Sequence, residues 1–221
     1  MSGPWSAHWV PCRFQREQPL PVQRSLHEPP VRRDSQRLHD VAAVGRVEGG
    51  GLGNVLRFVL RDDIRWEDGV PLTADDVEFT YKLMIDPKTP TAYSGDFLAI
   101  ESFKKTGRLS FEVRYAKPFA RSLMTWMGAI LPKHVLEGQD IMTTPVARKP
   151  IGAGPYRLAK WDAGSMLTLT ASDTYFEGRP NLDEVVYRII PDPSTMFLEL
   201  KAGKLDMMSL SPQQYLRQTQ G

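Results

Sequence analysis

Residues Leu56–Met84 read LRFVLRDDIRWEDGVPLTADDVEFTYKLM. Leu56, Phe58 and Leu60 alternate with Arg57, Val59 and Arg61, and this period of two predicts a half-buried strand. Ile64 and Trp66 resume the alternation after Asp62 and Asp63. Glu67-Asp68-Gly69 is a turn, because Gly69 takes a positive φ without strain. Thr73 is a helix N-cap, and Asp76 three residues later is its reciprocal acceptor. Leu72 before the cap and Val77 inside the helix form a hydrophobic staple. Val77, Tyr81 and Met84 recur at helical spacing as the buried stripe. Asp75, Asp76 and Glu78 lie in the first turns, where the helix dipole favours negative charge.

A second stretch, Pro150–Tyr156 (PIGAGPY), marks a change in the chain. Gly152 and Gly154 are expected to supply backbone angles closed to other residues, and Pro155 fixes the approach to a strand. It is not a phosphate loop: no Gly-Lys-Ser/Thr follows, and Pro155 removes an amide that such a cradle uses.

These two stretches carry a resemblance. LRDDIRWEDGVPLTADDVEFTY is similar to the signature region of the bacterial extracellular solute-binding proteins of family 5, the oligopeptide-, dipeptide- and nickel-type receptors of ABC importers. An LRxxVxWxDGxPxTAxDVxFTY pattern recurs there, and Leu60, Arg61, Ile64, Trp66, Asp68, Gly69, Pro71, Thr73, Ala74, Asp76, Val77, Phe79, Thr80 and Tyr81 stand at matching places. PIGAGPY resembles the family's P-x-G-x-G-P-Y/F motif, and Ile130–His134 (ILPKH) resembles its I-x-P-K-H box. Trp66, Asp68, Gly69, Thr73, Asp76, Gly152, Gly154, Pro155 and Tyr156 are structural motif residues on this reading. The one ligand contact the resemblance implies is Tyr93, the match to a loop tyrosine that reaches the peptide in the family's peptide receptors.

Residues 1–53 differ in character. Arg, Pro, Gln and His dominate, with no helical or strand period, and Pro4, Pro11, Pro19, Pro21, Pro29 and Pro30 interrupt either element. Residues 1–50 hold seven arginines, no lysine and five acids, whereas the remainder is balanced in charge. The segment is expected to be irregular and not native family sequence, the kind of composition that a frameshift in a GC-rich gene produces. It carries no basic n-region or apolar h-region of a signal peptide. Cys12 is the single cysteine, which excludes an internal disulfide. His8, His27 and His39 are too far apart to form a metal site.

The body reads as two lobes. Residues 54–148 form a small α/β lobe: after the first helix come a strand Ile100–Lys105, its hairpin partner through Tyr115, and a helix from Phe119 to Met127. Residues 149–221 form part of a ligand-binding lobe. Tyr156–Lys160, Met166–Thr170 and Glu184–Ile190 are strands. Asp192 caps a helix with Pro193 at its first position, and Gly203 ends it. The fold class is α/β, and the resemblance implies an incomplete type II periplasmic-binding-protein-like fold. Family members run more than twice this length, so the chain reads as a fragment.

The function implied is that of an ABC importer substrate-binding protein, for peptides first, with nickel chelate, oligosaccharide or haem as other solutes, or a non-functional pseudogene product. Its partners are a small peptide or other solute and the ABC permease subunits, its place is periplasmic or extracytoplasmic, and the folded chain is expected to be a monomer. No cofactor and no metal are implied. His134 has only Glu137 nearby in sequence, so it reads as a structural hydrogen-bonder. A hydrolytic enzyme is the different class, carried only by the pairs Asp62/Asp63, Glu67/Asp68 and Asp75/Asp76, whose neighbours point apart; no Ser, Cys or His stands in a nucleophile motif, so no catalytic residue is assigned. The neutral body argues against nucleic acid.

Overall fold

The structure is a computed structural model that describes residues 10–15, 44–49, 54–92, 94–118 and 121–218. The elements in chain order are β1 (Val10–Gln15), β2 (Val44–Gly49), β3 (Val55–Leu60), α1 (Ala74–Ile85), α2 (Ser94–Leu98), β4 (Ile100–Lys105), β5 (Ser110–Tyr115), α3 (Lys133–Leu136), β6 (Tyr156–Asp162), β7 (Met166–Ala171), β8 (Glu184–Arg188), α4 (Pro193–Lys201) and α5 (Pro212–Gln218). Short 3-10 turns lie at Met124–Met127 and Pro145–Ala147. The chain divides into two compact units, Arg24–Ala153 on one side and Met1–Gln23 with Gly154–Gly221 on the other.

The unit Arg24–Ala153 is built on an antiparallel sheet in the order β2-β3-β5-β4. Leu56, Phe58 and Leu60 of β3 are buried while Arg57 and Val59 are exposed, as the alternation requires. Phe111, Val113 and Tyr115 of β5 are buried on the same terms. Phe58 stands opposite Phe111 in the register, and their rings stack with centroids 4.7 Å apart. Trp126 closes this cluster: it lies edge-on to Phe97 and tilted against Phe58, Phe103 and Phe111. Its indole N–H donates to the Tyr115 hydroxyl, which in turn donates to the Ser122 carbonyl. Such rings bury large areas, and each contact adds about 0.5–1.5 kcal/mol beyond burial.

Helix α1 starts where its cap chemistry dictates. The Thr73 hydroxyl accepts from the Asp75 amide, and the Asp76 carboxylate accepts from the Thr73 amide at 2.9 Å. Leu72 and Val77 are both buried, the arrangement of a staple. Asp76 is itself buried, and its second oxygen accepts from the Lys133 amide at 2.9 Å. One turn on, the Thr80 hydroxyl donates to the Asp76 carbonyl and accepts from the Leu131 amide. The first turns of α1 therefore anchor the approach to α3.

The second unit holds an antiparallel sheet in the order β1-β8-β7-β6. The β6–β7 hairpin turns at Gly164, at φ +76°. Asp192 caps α4, accepting from the Thr195 amide, and Pro193 follows it. The core here is small: Met196 and Leu205 are buried against the half-buried Val186, Ile190, Leu200 and Met208. Arg188 of β8 pairs with Glu199 of α4. Within β6, β7 and β8 only Ala171 and Val185 are buried.

Several expectations change. Strands β1 and β2 fall inside residues 1–53, where no regular element was expected. Both are edge strands, and each carries a register shift, between Pro11 and Arg13 in β1 and between Val44 and Arg46 in β2. A proline lacks an amide to donate, so an edge or a bulge is where a strand accommodates it. The helix expected over Phe119–Met127 is, in its described part, only the 3-10 turn Met124–Met127, which has no side-chain cap and stops at an extended Gly128. Gly152 and Gly154 have no positive φ; among the described residues the glycines that do are Gly69, Gly138, Gly164, Gly178 and Gly203.

Candidate functional site

The turn after Trp66 ties distant parts of one unit together. The Gly69 amide donates to the Trp66 carbonyl, the Trp66 amide to the Val70 carbonyl, and Gly69 sits at φ +85°. The Asp68 carboxylate accepts from the Val70 amide with one oxygen and meets His134 Nε2 at 2.7 Å with the other. Burial works against the charge on Asp68, but the His134 and Val70 hydrogen bonds outweigh it and hold the carboxyl below its ordinary range. Glu67 grips Gly152 twice: its amide donates to the Gly152 carbonyl at 2.9 Å, and its carboxylate accepts from the Gly152 amide at 3.1 Å. The clasp fixes position 152 through main-chain groups alone, without a left-handed backbone.

Trp66, Asp68, Gly69, Thr73, Asp76 and Gly152 thus gather around one strand-turn-helix corner. Trp66 is buried, its ring 6.2 Å from that of His134, and its Nε1 has no hydrogen-bond partner among the described residues. Gly154, Pro155 and Tyr156 belong to the other unit, where the Pro155 carbonyl accepts from the Ser172 amide and Tyr156 opens β6 opposite Ala171. Tyr93 lies outside the described residues. His134, which the sequence presents as a structural hydrogen-bonder, finds its partner in Asp68, sixty-six residues earlier.

The same unit contains a cavity of about 510 Å³ that sequence reading missed. Its walls are apolar, with Phe97, Phe111, Trp126 and Met84 among them. Thr80 and Thr125 line it too, but their hydroxyls donate to the Asp76 and Arg121 carbonyls. The charged residues in the wall are Asp96 and Arg121, joined by one contact of 2.8 Å between Arg121 Nη2 and Asp96 Oδ2. Met124 and Met127 at the wall are largely exposed. No periodicity in the sequence signals this space, because its walls come from five separate stretches of chain.

The chemistry at the corner is that of caps and clasps. Among the described residues no group of three or more His, Cys, Asp or Glu converges, and no helix is long and apolar enough to cross a membrane.

Comparison with known proteins places these features in a family. Residues 52–221 match the family described as bacterial extracellular solute-binding proteins, family 5 Middle. The chain is 32% identical over 172 residues to the oligopeptide-binding protein AppA of Bacillus subtilis, covering 75% of this chain and 31% of that protein. The structure of AppA in complex with a nonapeptide superposes with a TM-score of 0.72 at 29% identity, over 79% of this chain and 36% of that one. The structure of NikZ from Campylobacter jejuni in complex with Ni(L-His) superposes with a TM-score of 0.73 at 25% identity, over 99% of this chain and 42% of the other. The chain thus spans about a third of the length of the curated relative it matches. These neighbours hold Ni(L-His) and a nonapeptide, and the fold of this chain is part of theirs.

Proposed function

The chain belongs to the bacterial extracellular solute-binding proteins of family 5, and on that premise we propose that it forms part of a receptor that captures peptides for the permease of an ABC importer. The observation that supports peptides is the match to AppA: 172 residues of the chain align with an oligopeptide-binding protein in sequence, at 32% identity, and 79% of the chain superposes on its nonapeptide complex. Receptors of this kind close two lobes over a ligand, and the membrane partner reads the closed form. Main-chain hydrogen bonds hold a peptide without reading its sequence, while roomy pockets accept varied side chains. The division into residues 54–148 as a small lobe and 149–221 as a partial ligand lobe, the peptide contact at Tyr93, the extracytoplasmic location, the monomeric state and the lack of catalysis all belong to this reading.

A nickel chelate is the second reading, favoured by the superposition on NikZ with Ni(L-His). Lower sequence identity than to AppA ranks it second. A chimera decides between them. Residues 54–221 replace the corresponding part of B. subtilis AppA, and nonapeptide and nickel–histidine binding are measured by calorimetry. Retained peptide binding, weakened by Tyr93→Ala, is the expected result. A folded chimera that takes nickel–histidine and no peptide would overturn the proposal.

A further inference from the structure

We propose that the cavity beside Trp126 is a second binding site, for a zwitterionic α-amino acid with a large apolar side chain. The site lies wholly within the unit Arg24–Ala153. At about 510 Å³ it falls in the range of small-ligand pockets, and its aromatic and thioether walls suit an apolar group.

The polar end of the ligand is fixed by what the wall leaves available. The threonine hydroxyls donate to main-chain carbonyls, so the charged capacity is concentrated in Asp96 and Arg121. These two touch through one atom each, which leaves Asp96 Oδ1 and Arg121 Nε and Nη1 without a partner among the described residues. The Arg121 side chain is 64% exposed and that of Asp96 28%, so the pair stands on the solvent side of the cavity.

An ion pair at the rim of an apolar cavity selects against ligands of a single charge. A lone carboxylate drawn to Arg121 meets the Asp96 charge beside it. A lone ammonium drawn to Asp96 meets the guanidinium. A zwitterion satisfies both, its carboxylate on the open edge of Arg121 and its ammonium on Asp96 Oδ1, with the signs alternating around the cluster. The side chain then points into the cavity. Exposed Met124 and Met127 can adjust to side chains of different shape.

The test uses the full chain and three probes in calorimetry: L-phenylalanine, 3-phenylpropionate, which lacks the ammonium, and 2-phenylethylamine, which lacks the carboxylate. L-Phenylalanine is expected to bind, and each truncated probe to bind weaker by about tenfold or more. Arg121→Gln is expected to bring L-phenylalanine to the level of the amine, and Asp96→Asn to the level of the acid. Arg121→Lys, which keeps the charge without the planar fork, is expected to fall between, and serves where the Gln variant loses its far-ultraviolet circular dichroism. Equal affinity for all three probes would overturn the proposal. So would no binding of L-phenylalanine at about 10 mM, or binding unmoved by both neutralising variants. The AppA chimera carries Asp96 and Arg121 unchanged and is read by nonapeptide and nickel–histidine alone, so failure here leaves the peptide reading intact.

Discussion

His134 Nε2 lies 2.7 Å from Asp68 Oδ2, joining the start of α3 to the turn that precedes α1. Both side chains are about one-third exposed, so the pair is worth no more than about 1 kcal/mol. The folded state holds the Asp68 carboxyl below its ordinary value, so its contribution is fully present above the unfolded value and is lost as pH falls through the folded one. Urea unfolding between pH 7 and about pH 3 should show Asp68→Asn less stable than wild type at neutral pH, with the gap closing in acid. A gap that stays constant, or widens in acid, would contradict this.

Thr73→Ala should cost about 1 kcal/mol, the ordinary effect of removing a helix cap. Asp76→Ala should cost more, about 2–3 kcal/mol, because the Lys133 amide and the Thr73 amide both lose their acceptor in a buried place. Equal losses in denaturant unfolding would show that the long-range anchor at Lys133 is not energetically coupled.

The Glu67 carboxylate, which accepts from the Gly152 amide, should slow hydrogen exchange there. Glu67→Ala should speed exchange at Gly152 about tenfold, while Glu67→Gln, which keeps an acceptor, should change it little. If neither variant alters the rate, the main-chain bond from Glu67 to the Gly152 carbonyl suffices.

The two units should differ in resistance to proteolysis. Phe58→Ala should cost about 3–5 kcal/mol, since its ring is fully buried in an aromatic cluster. The strands β6, β7 and β8 bury Ala171 and Val185 and leave Leu158, Leu167 and Leu169 half-exposed, a face that invites association. Limited proteolysis of expressed chain should trim toward residues 54–148. A chain that resists digestion along its whole length as a monomer would count against this.

Local chemistry was legible in the sequence, and contacts across many residues were not. Thr73 and Asp76 declare their box because both partners stand within one turn of helix. Gly69 declares its turn, and Phe111, Val113 and Tyr115 their hairpin, for the same reason. The bond from Asp68 to His134 and the clasp of Glu67 on Gly152 join residues that no periodicity relates. Gly152 shows the limit of reading a backbone angle from a glycine: its φ is not positive, and its contacts run through its two main-chain groups. Strand β1 was unreadable because an edge strand is specified largely by the backbone of its neighbour, which tolerates Pro11.

The pairing of β1 with β8 sets the order in which this chain can fold. Val10 stands opposite Arg188, so this ladder closes a loop that contains the whole of the other unit. Closing so long a loop carries an entropy cost that no early contact offsets. The aromatic sheet of Arg24–Ala153, whose β4–β5 hairpin is local, can form while β1 is still free. Once formed, that insertion acts as a folded spacer between the two segments that must meet. A mutation in the Phe58 cluster should then slow the appearance of the β1–β8 ladder, although it touches neither strand.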